Sequence, residues 1–107
     1  MFCLGSYRGR LDIIADILRV VSRGSAKKTQ IMYGANLSYM VLNKYLREVV
    51  DACLISFDYE RRCYELTSKG RRFLERYLEY YRWNRRVARR LNDVEAKRKV
   101  LEELCTG

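Results

Sequence analysis

Residues 25–46 read SAKKTQIMYGANLSYMVLNKYL, two short amphipathic stretches joined by Gly34-Ala35-Asn36-Leu37. A turn of three or four residues that contains glycine and links two such stretches marks a helix-turn-helix. No other feature constrains the fold as strongly. The second helix of such a unit is presented outward, and here its exposed face carries Ser38, Met40, Asn43, Lys44 and Arg47.

The elements around this unit follow from periodicity. Between Arg10 and Arg23, apolar residues at Leu11, Ile14, Leu18 and Val21, with Ile17 beside them, predict a first helix with one buried stripe. Gly24 then suits a left-handed C-cap. The run Lys27-Lys28-Thr29-Gln30 opens the second helix, whose apolar side is Ile31 and Met32, and Thr29 or Ser25 is its expected cap. The third helix is expected from Ser38, as N-cap, to Ala52, with Leu42, Tyr45, Leu46 and Val49 inward.

Beyond it, Leu54 to Tyr59 and Cys63 to Leu66 alternate apolar and polar residues, which predicts a hairpin turning at Glu60-Arg61. With the turn there, Phe57 faces Tyr64, Ile55 faces Leu66 and Cys63 lies opposite Asp58. One side of the hairpin is then apolar. Its tip projects Arg61 and Arg62, cations placed to lie along phosphates or in a minor groove.

Composition bounds the function. With 22 Lys and Arg against 13 Asp and Glu the chain carries +9 and has no histidine. A basic surface of this kind neutralises phosphates, although basic chains also bind anionic membranes and acidic proteins. Without histidine the usual general base and a common zinc ligand are missing, and no phosphate-cradling glycine loop or nucleophile elbow is present. The expectation is a binding protein and not an enzyme, with no catalytic residues, metal or cofactor and no small-molecule substrate. Cys3, Cys53, Cys63 and Cys105 have no zinc spacing. Cys53 and Cys63 read as small buried residues and Cys3 and Cys105 as terminal thiols, a disulfide being the alternative. Neither an apolar run of membrane-spanning length nor a secretory signal is present, so a cytoplasmic, nucleoid-associated location is expected.

The outward face of the third helix offers a long cation and an amide, groups that pair bidentately with guanine and adenine edges, and a methionine able to touch a thymine methyl. Helix, helix, helix, hairpin is the order of a winged helix. Residues 8–46, followed by the hairpin and YELTSKGRRFLE, resemble the archaeal winged helix-turn-helix DNA-binding family of the Sulfolobus 10a type, over roughly Arg8 to Tyr81. The resemblance implies phosphate contacts near Lys27, Lys28 and Thr29, a reading helix from Ser38 and dimeric binding to double-stranded DNA. The expected DNA-facing set is Lys27, Lys28, Thr29, Gln30, Ser38, Tyr39, Met40, Asn43, Lys44, Arg47, Arg61 and Arg62. One departure is visible: where the family turns out of the third helix with glycine before Leu-Ile, this chain has Ala52-Cys53.

From Ser68 to about Leu104 no proline interrupts a helical composition, so one helix of about 55 Å is expected. Phe73, Tyr80, Val87, Val94 and Leu101 recur every seven residues, and Tyr77, Asn84, Leu91, Arg98 and Cys105 recur on the companion line. These are the d and a positions of a heptad. Left alone, such a helix would expose Val87, Leu91, Val94 and Leu101, each worth about 1.5 to 3 kcal/mol on burial, so a partner helix is favoured. The expected dimer seam is Tyr80, Asn84, Val87, Leu91, Val94, Arg98 and Leu101, with the polar Asn84 and Arg98 restricting register. Nearer the hairpin, Leu74, Leu78 and Tyr81 are expected to pack back on the first helix and wing, and Tyr80, Tyr81 and Trp83 read as core.

Orientation is open on the residues themselves. Five arginines and no acid between Arg82 and Arg90, against four acids and three bases from Asp93 to Glu103, favour antiparallel pairing. Arg90 with Glu95 and Lys97 with Glu102 match in a parallel coil. The family resemblance implies antiparallel. The expected architecture is mainly α with a small β-hairpin wing: a winged helix-turn-helix domain over residues 1–83 and a dimerising coiled coil over 84–107. The sequence leaves open a transcriptional regulator, a chromosome-organising protein or, as the alternative class, a protein-protein interaction module in a transcription assembly.

Overall fold

The computed structural model describes residues 8–106. The element order is α1 (Arg10–Ser22), α2 (Lys28–Gly34), α3 (Tyr39–Asp51), β1 (Ile55–Asp58), β2 (Cys63–Leu66) and α4 (Ser68–Cys105), with the two strands antiparallel. The chain divides into one unit up to Tyr77 and a second from Leu78.

In the first unit, α1 starts where Asp12 Oδ2 accepts the Gly9 N–H at 2.9 Å. It buries Ile14, Ala15, Ile17, Leu18 and Val21, whereas Leu11 is 41% exposed. The predicted stripe is thus one position off at its start, with Ala15 taking the inward place. Gly24 does not cap α1 in the left-handed helical region. Arg23 closes the helix in the right-handed region, and Gly24 follows at φ 150, a value side chains rarely adopt.

Neither Thr29 nor Ser25 caps α2. Lys27 is the N-cap residue, and its N–H is satisfied by Gln30 Oε1 at 2.8 Å. At the other end Asn36 takes φ 53, with Asn36 N–H on Tyr33 O at 3.2 Å and Leu37 N–H on Met32 O at 3.0 Å. That pair of bonds is a Schellman motif. Gly34 lies inside the helix and serves packing: a Cβ there would stand 2.7 Å from Val20 Cγ2, so α2 meets α1 through a bare backbone.

The start of α3 is as expected, with Ser38 Oγ accepting the Val41 N–H at 3.3 Å. Leu42, Leu46 and Val49 are buried and Tyr45 is half-buried. The helix closes by a second Schellman motif, Cys53 N–H to Val50 O and Leu54 N–H to Val49 O, both at 2.9 Å. It is completed by the buried pair Leu54 and Val49. Cys53 occupies the left-handed position at φ 63, the place that glycine fills at lower cost. Its side chain is exposed and not buried as expected, while Cys63 is buried; both are free thiols, as is Cys105, and Cys3 lies outside the described residues.

The hairpin register is the predicted one: Ile55 with Leu66, Phe57 with Tyr64, Asp58 with Cys63. The turn manages without an Asn-Gly pair. Asp58 Oδ1 accepts the N–H groups of Glu60 and Arg61 at 3.0 and 3.3 Å, and Arg62 supplies the left-handed residue at φ 51. Ala26 adds a bridge to β2 that periodicity did not show, exchanging bonds with Tyr64 at 3.0 and 2.7 Å. Thr67 Oγ1 accepts the Gly70 N–H at 3.0 Å as α4 begins, and Gly70 abuts Leu54, where a Cβ would lie 2.1 Å from the carbonyl oxygen. Leu74 and Tyr77 of α4 are buried, and the Tyr77 hydroxyl donates to Asp12. Tyr77 therefore belongs to this core and not to a helical seam.

In the second unit, Leu78, Tyr80 and Trp83 are 37, 55 and 60% exposed on the single chain. Tyr81 is half-buried. No described helix is long and apolar enough to cross a membrane.

Candidate nucleic-acid interface

The starts of α2 and α3 meet on one side of the first unit. Lys27 and Lys28 occupy the N-cap and first helical positions of α2, whose first turn has no acid. The helix dipole favours a carboxylate there, so these lysines do not serve the helix's own stability. Lys28 Nζ sits 4.7 Å from the centre of the Tyr39 ring. Asn43, one turn along α3, and Lys28 favour the ionised form of the Tyr39 hydroxyl and hold its pKa below the ordinary 10.0. The three side chains form a polar cluster open to solvent.

Beside this cluster a shallow depression of about 240 Å³ is lined by Lys28, Asn43, Arg47, Asp51 and Tyr64, floored by Leu46 and Val50. Met40 is 83% exposed and Tyr39 62%. Lys44 and Arg47 are exposed, with Lys44 Nζ 5.3 Å from the Tyr45 ring. The first two turns of α3, Tyr39 to Leu46, hold no acid. Chemically, this face of α3 offers cations, an amide and a thioether to solvent, while the other face of the helix is buried.

The predicted residues do not all share one role. Ser38 and Gln30 are engaged as caps. Thr29 is exposed beside Lys28, and Met40, Asn43, Lys44 and Arg47 line the free side of α3. Arg61 and Arg62 stand on the hairpin loop, Arg61 Nη1 lying 3.7 Å from Glu65 Oε1 and Arg62 exposed. Asp58, Cys63 and Glu65 bring possible metal-ligating atoms within 4.8 Å of one another. Asp58 is already committed to the turn and Glu65 to Arg61.

Sequence reasoning did not find Arg8. Its guanidinium donates to Ala35 O and Asn36 O at 2.7 Å each and to Asp16 Oδ2 at 2.9 Å, tying the turn between α2 and α3 to α1. Nor did it find Tyr64 or Asp51 in the depression, because strand alternation gave Tyr64 only an inward side. Neither had a local signal.

A family model described as winged helix-turn-helix matches residues 7–85. The chain belongs to the winged helix-turn-helix family. Among solved structures this winged chain is similar to Sso10a-2, described as a DNA-binding protein from Sulfolobus solfataricus, with a TM-score of 0.62 and 33% identity over 94% of this chain and 100% of that one. An uncharacterised protein of Methanocaldococcus jannaschii is 30% identical over 69% of this chain and 74% of its own length. A second from the same organism is 35% identical over 70% of this chain but only 35% of its own length. In the winged frame, α3 is the second helix of the helix-turn-helix and the β1–β2 loop is the wing.

Proposed function

We propose that the chain is a homodimeric double-stranded DNA-binding protein, a transcriptional regulator or chromosome-organising protein that acts in the cytoplasm at the nucleoid. The observation that carries this reading is the stretch of α3 from Tyr39 to Arg47, which holds no acid, with Met40, Asn43, Lys44 and Arg47 outward and Lys28 and Tyr39 at its head. α3 enters the major groove, where Asn43 and Arg47 meet base edges and Met40 meets a thymine methyl. Lys27, Lys28 and Thr29 hold the flanking phosphates. The wing lays Arg61 and Arg62 on the backbone. Ser38 and Gln30 act by fixing the helix starts. The likeness to Sso10a-2 supports the same partner.

The second copy is held through the C-terminal helix. Val87, Leu91, Val94 and Leu101 are 53 to 64% exposed on one line, an apolar stripe that water opposes. Asn84 and Arg98 interrupt it and restrict register; Arg98 is neutralised on its own helix by Glu95 and by Glu102 at 3.0 Å. Pairing is antiparallel. The winged domain is assigned to residues 1–83 and the coiled coil to 84–107. The chain acts by binding, without catalysis.

Selection from a random duplex library at physiological salt tests the reading. A regulator enriches one site about a thousandfold or more over random duplex, and an architectural protein enriches none yet still binds. Failure to retain any duplex would favour the protein-interaction module instead.

A further inference from the structure

The nine residues from Arg82 to Arg90 contain five arginines and no acid, and so carry +5 of the chain's net +9. Arg82, Arg85, Arg86 and Arg89 fall at i, i+3, i+4 and i+7 of α4, which puts them on one face over two turns. By helical position these four arginines lie outside the stripe of Val87, Leu91 and Val94, Arg86 and Arg89 also reaching its edge, so a helix covering the stripe does not take their place on α4. All five are exposed, and among the described residues none forms an ion pair. The same helix pairs Arg98 with Glu95 and Glu102 at the same spacings, so this block departs from the helix's own pattern.

Like charges three and four apart oppose one another, and the helix gains nothing from them by itself. Every cation here is arginine and none is lysine, and the planar guanidinium matches the geometry of a phosphate. Two are held in place on rings: Arg85 lies 5.9 Å from the centre of Tyr81 and Arg86 5.4 Å from the centre of Trp83. Such stacking limits the freedom lost when an anion is bound.

We infer that the Arg82, Arg85, Arg86 and Arg89 face of α4 is a second phosphate-binding surface for duplex DNA, distinct from α3 and the wing. It contacts the backbone without reading sequence. The inference goes beyond the contacts proposed for α3 and the wing, and its choice of duplex DNA as the source of the phosphates rests on that reading.

The test uses the full chain with Arg82, Arg85, Arg86 and Arg89 all changed to Gln, and a second variant with the same four changed to Lys. Dissociation constants for a random-sequence duplex are measured across a salt series, with sedimentation and circular dichroism in parallel. Each lost contact lowers the slope of log affinity on log salt by about 0.9, so the Gln variant is expected to lose about 3 to 4 units of slope and at least tenfold in affinity. The Lys variant keeps most of the slope. Helicity, sedimentation and any sequence preference stay as in the parent. An unchanged slope in the Gln variant overturns the inference, as does an equal loss in the Lys variant.

A third variant, Asn43→Ala, Arg47→Ala, Arg61→Ala and Arg62→Ala, separates the two surfaces. It is expected to retain salt-dependent duplex binding that adding the four Gln changes lowers at least tenfold further, to what Lys27 and Lys28 still hold. Parental affinity in this variant would count against the winged interface and leave the arginine face standing. Competition by polyglutamate as effective as by duplex would make the face a site for acidic protein and overturn the inference.

Discussion

Asn36, Cys53 and Arg62 all take positive φ, at 53, 63 and 51°, and they are not equivalent. Asparagine tolerates the left-handed region because its short side chain bonds locally; cysteine and arginine pay about 1 kcal/mol or more for it. Cys53→Gly and Arg62→Gly are each expected to stabilise the fold by up to about 1 kcal/mol, reduced by the extra freedom glycine gives the unfolded chain, and Asn36→Gly to change it less. Urea unfolding midpoints check this. Gly70 stands at the opposite extreme. A Cβ there meets the Leu54 backbone oxygen at 2.1 Å and Leu66 Cδ1 at 2.7 Å, so Gly70→Ala is expected to cost roughly 3 kcal/mol by the same measurement. At Tyr39 the consequence is one of pH. Asn43 first, and Lys28 second, favour its phenolate, so it titrates below 10.0 and gains a negative charge on the α3 face before an ordinary tyrosine does. DNA affinity should fall as pH rises through that range, and Tyr39→Phe should remove the fall. In carbon-13 spectra of labelled tyrosine, Asn43→Ala or Lys28→Ala moves the midpoint back up.

At the scale of elements, α3 and the wing are expected to contribute different things to one complex. Asn43 and Arg47 project from a helix rigidly held by Leu42, Leu46 and Val49 in the core, while Arg61 and Arg62 ride on a four-residue loop. Rigid side chains in a groove discriminate bases, and cations on a loop meet phosphates that every sequence offers. Arg47→Ala should alter the sequence preference recovered by selection. Arg61→Ala with Arg62→Ala should weaken binding to all duplexes alike and flatten the salt slope by roughly one to two units. An unchanged preference in Arg47→Ala would remove α3 from the role of reader.

For the whole molecule, affinity and assembly are expected to be coupled. The unit up to Tyr77 has its own core, from Ile14 through Leu42 and Ile55 to Tyr77. Truncation after Asn84, or Leu91→Asp with Val94→Asp, should leave that core folded and give a monomer by sedimentation. The second DNA contact then ceases to be intramolecular, and apparent affinity at equal salt should drop by about a hundredfold in the Leu91→Asp, Val94→Asp chain, which keeps the arginine face. A truncated chain that still sediments as a dimer would move the interface onto the winged unit. Undiminished affinity in a monomer would mean that one copy suffices.

What the sequence determined by itself is what repeats along it. Helical spacing located α1, α3 and α4, and two-residue alternation with a single turn position determined every pair of the hairpin register, because one face had to be apolar. The free side of α3 was legible for the same reason: its apolar stripe, once assigned inward, left Met40, Asn43, Lys44 and Arg47 outside. Tertiary structure decided whatever joins residues far apart in the chain. Arg8 on the carbonyls of Ala35 and Asn36, Tyr77 on Asp12, Ala26 on Tyr64 and Lys28 on Tyr39 have no periodic signature. The glycines show the same division: Gly34 reads as a turn residue, yet the turn's positive φ falls to Asn36 and Gly34 is small because Val20 of another helix lies against it. Periodicity reports which side of an element avoids water; which neighbour that side meets, and how closely, is decided only when the elements dock.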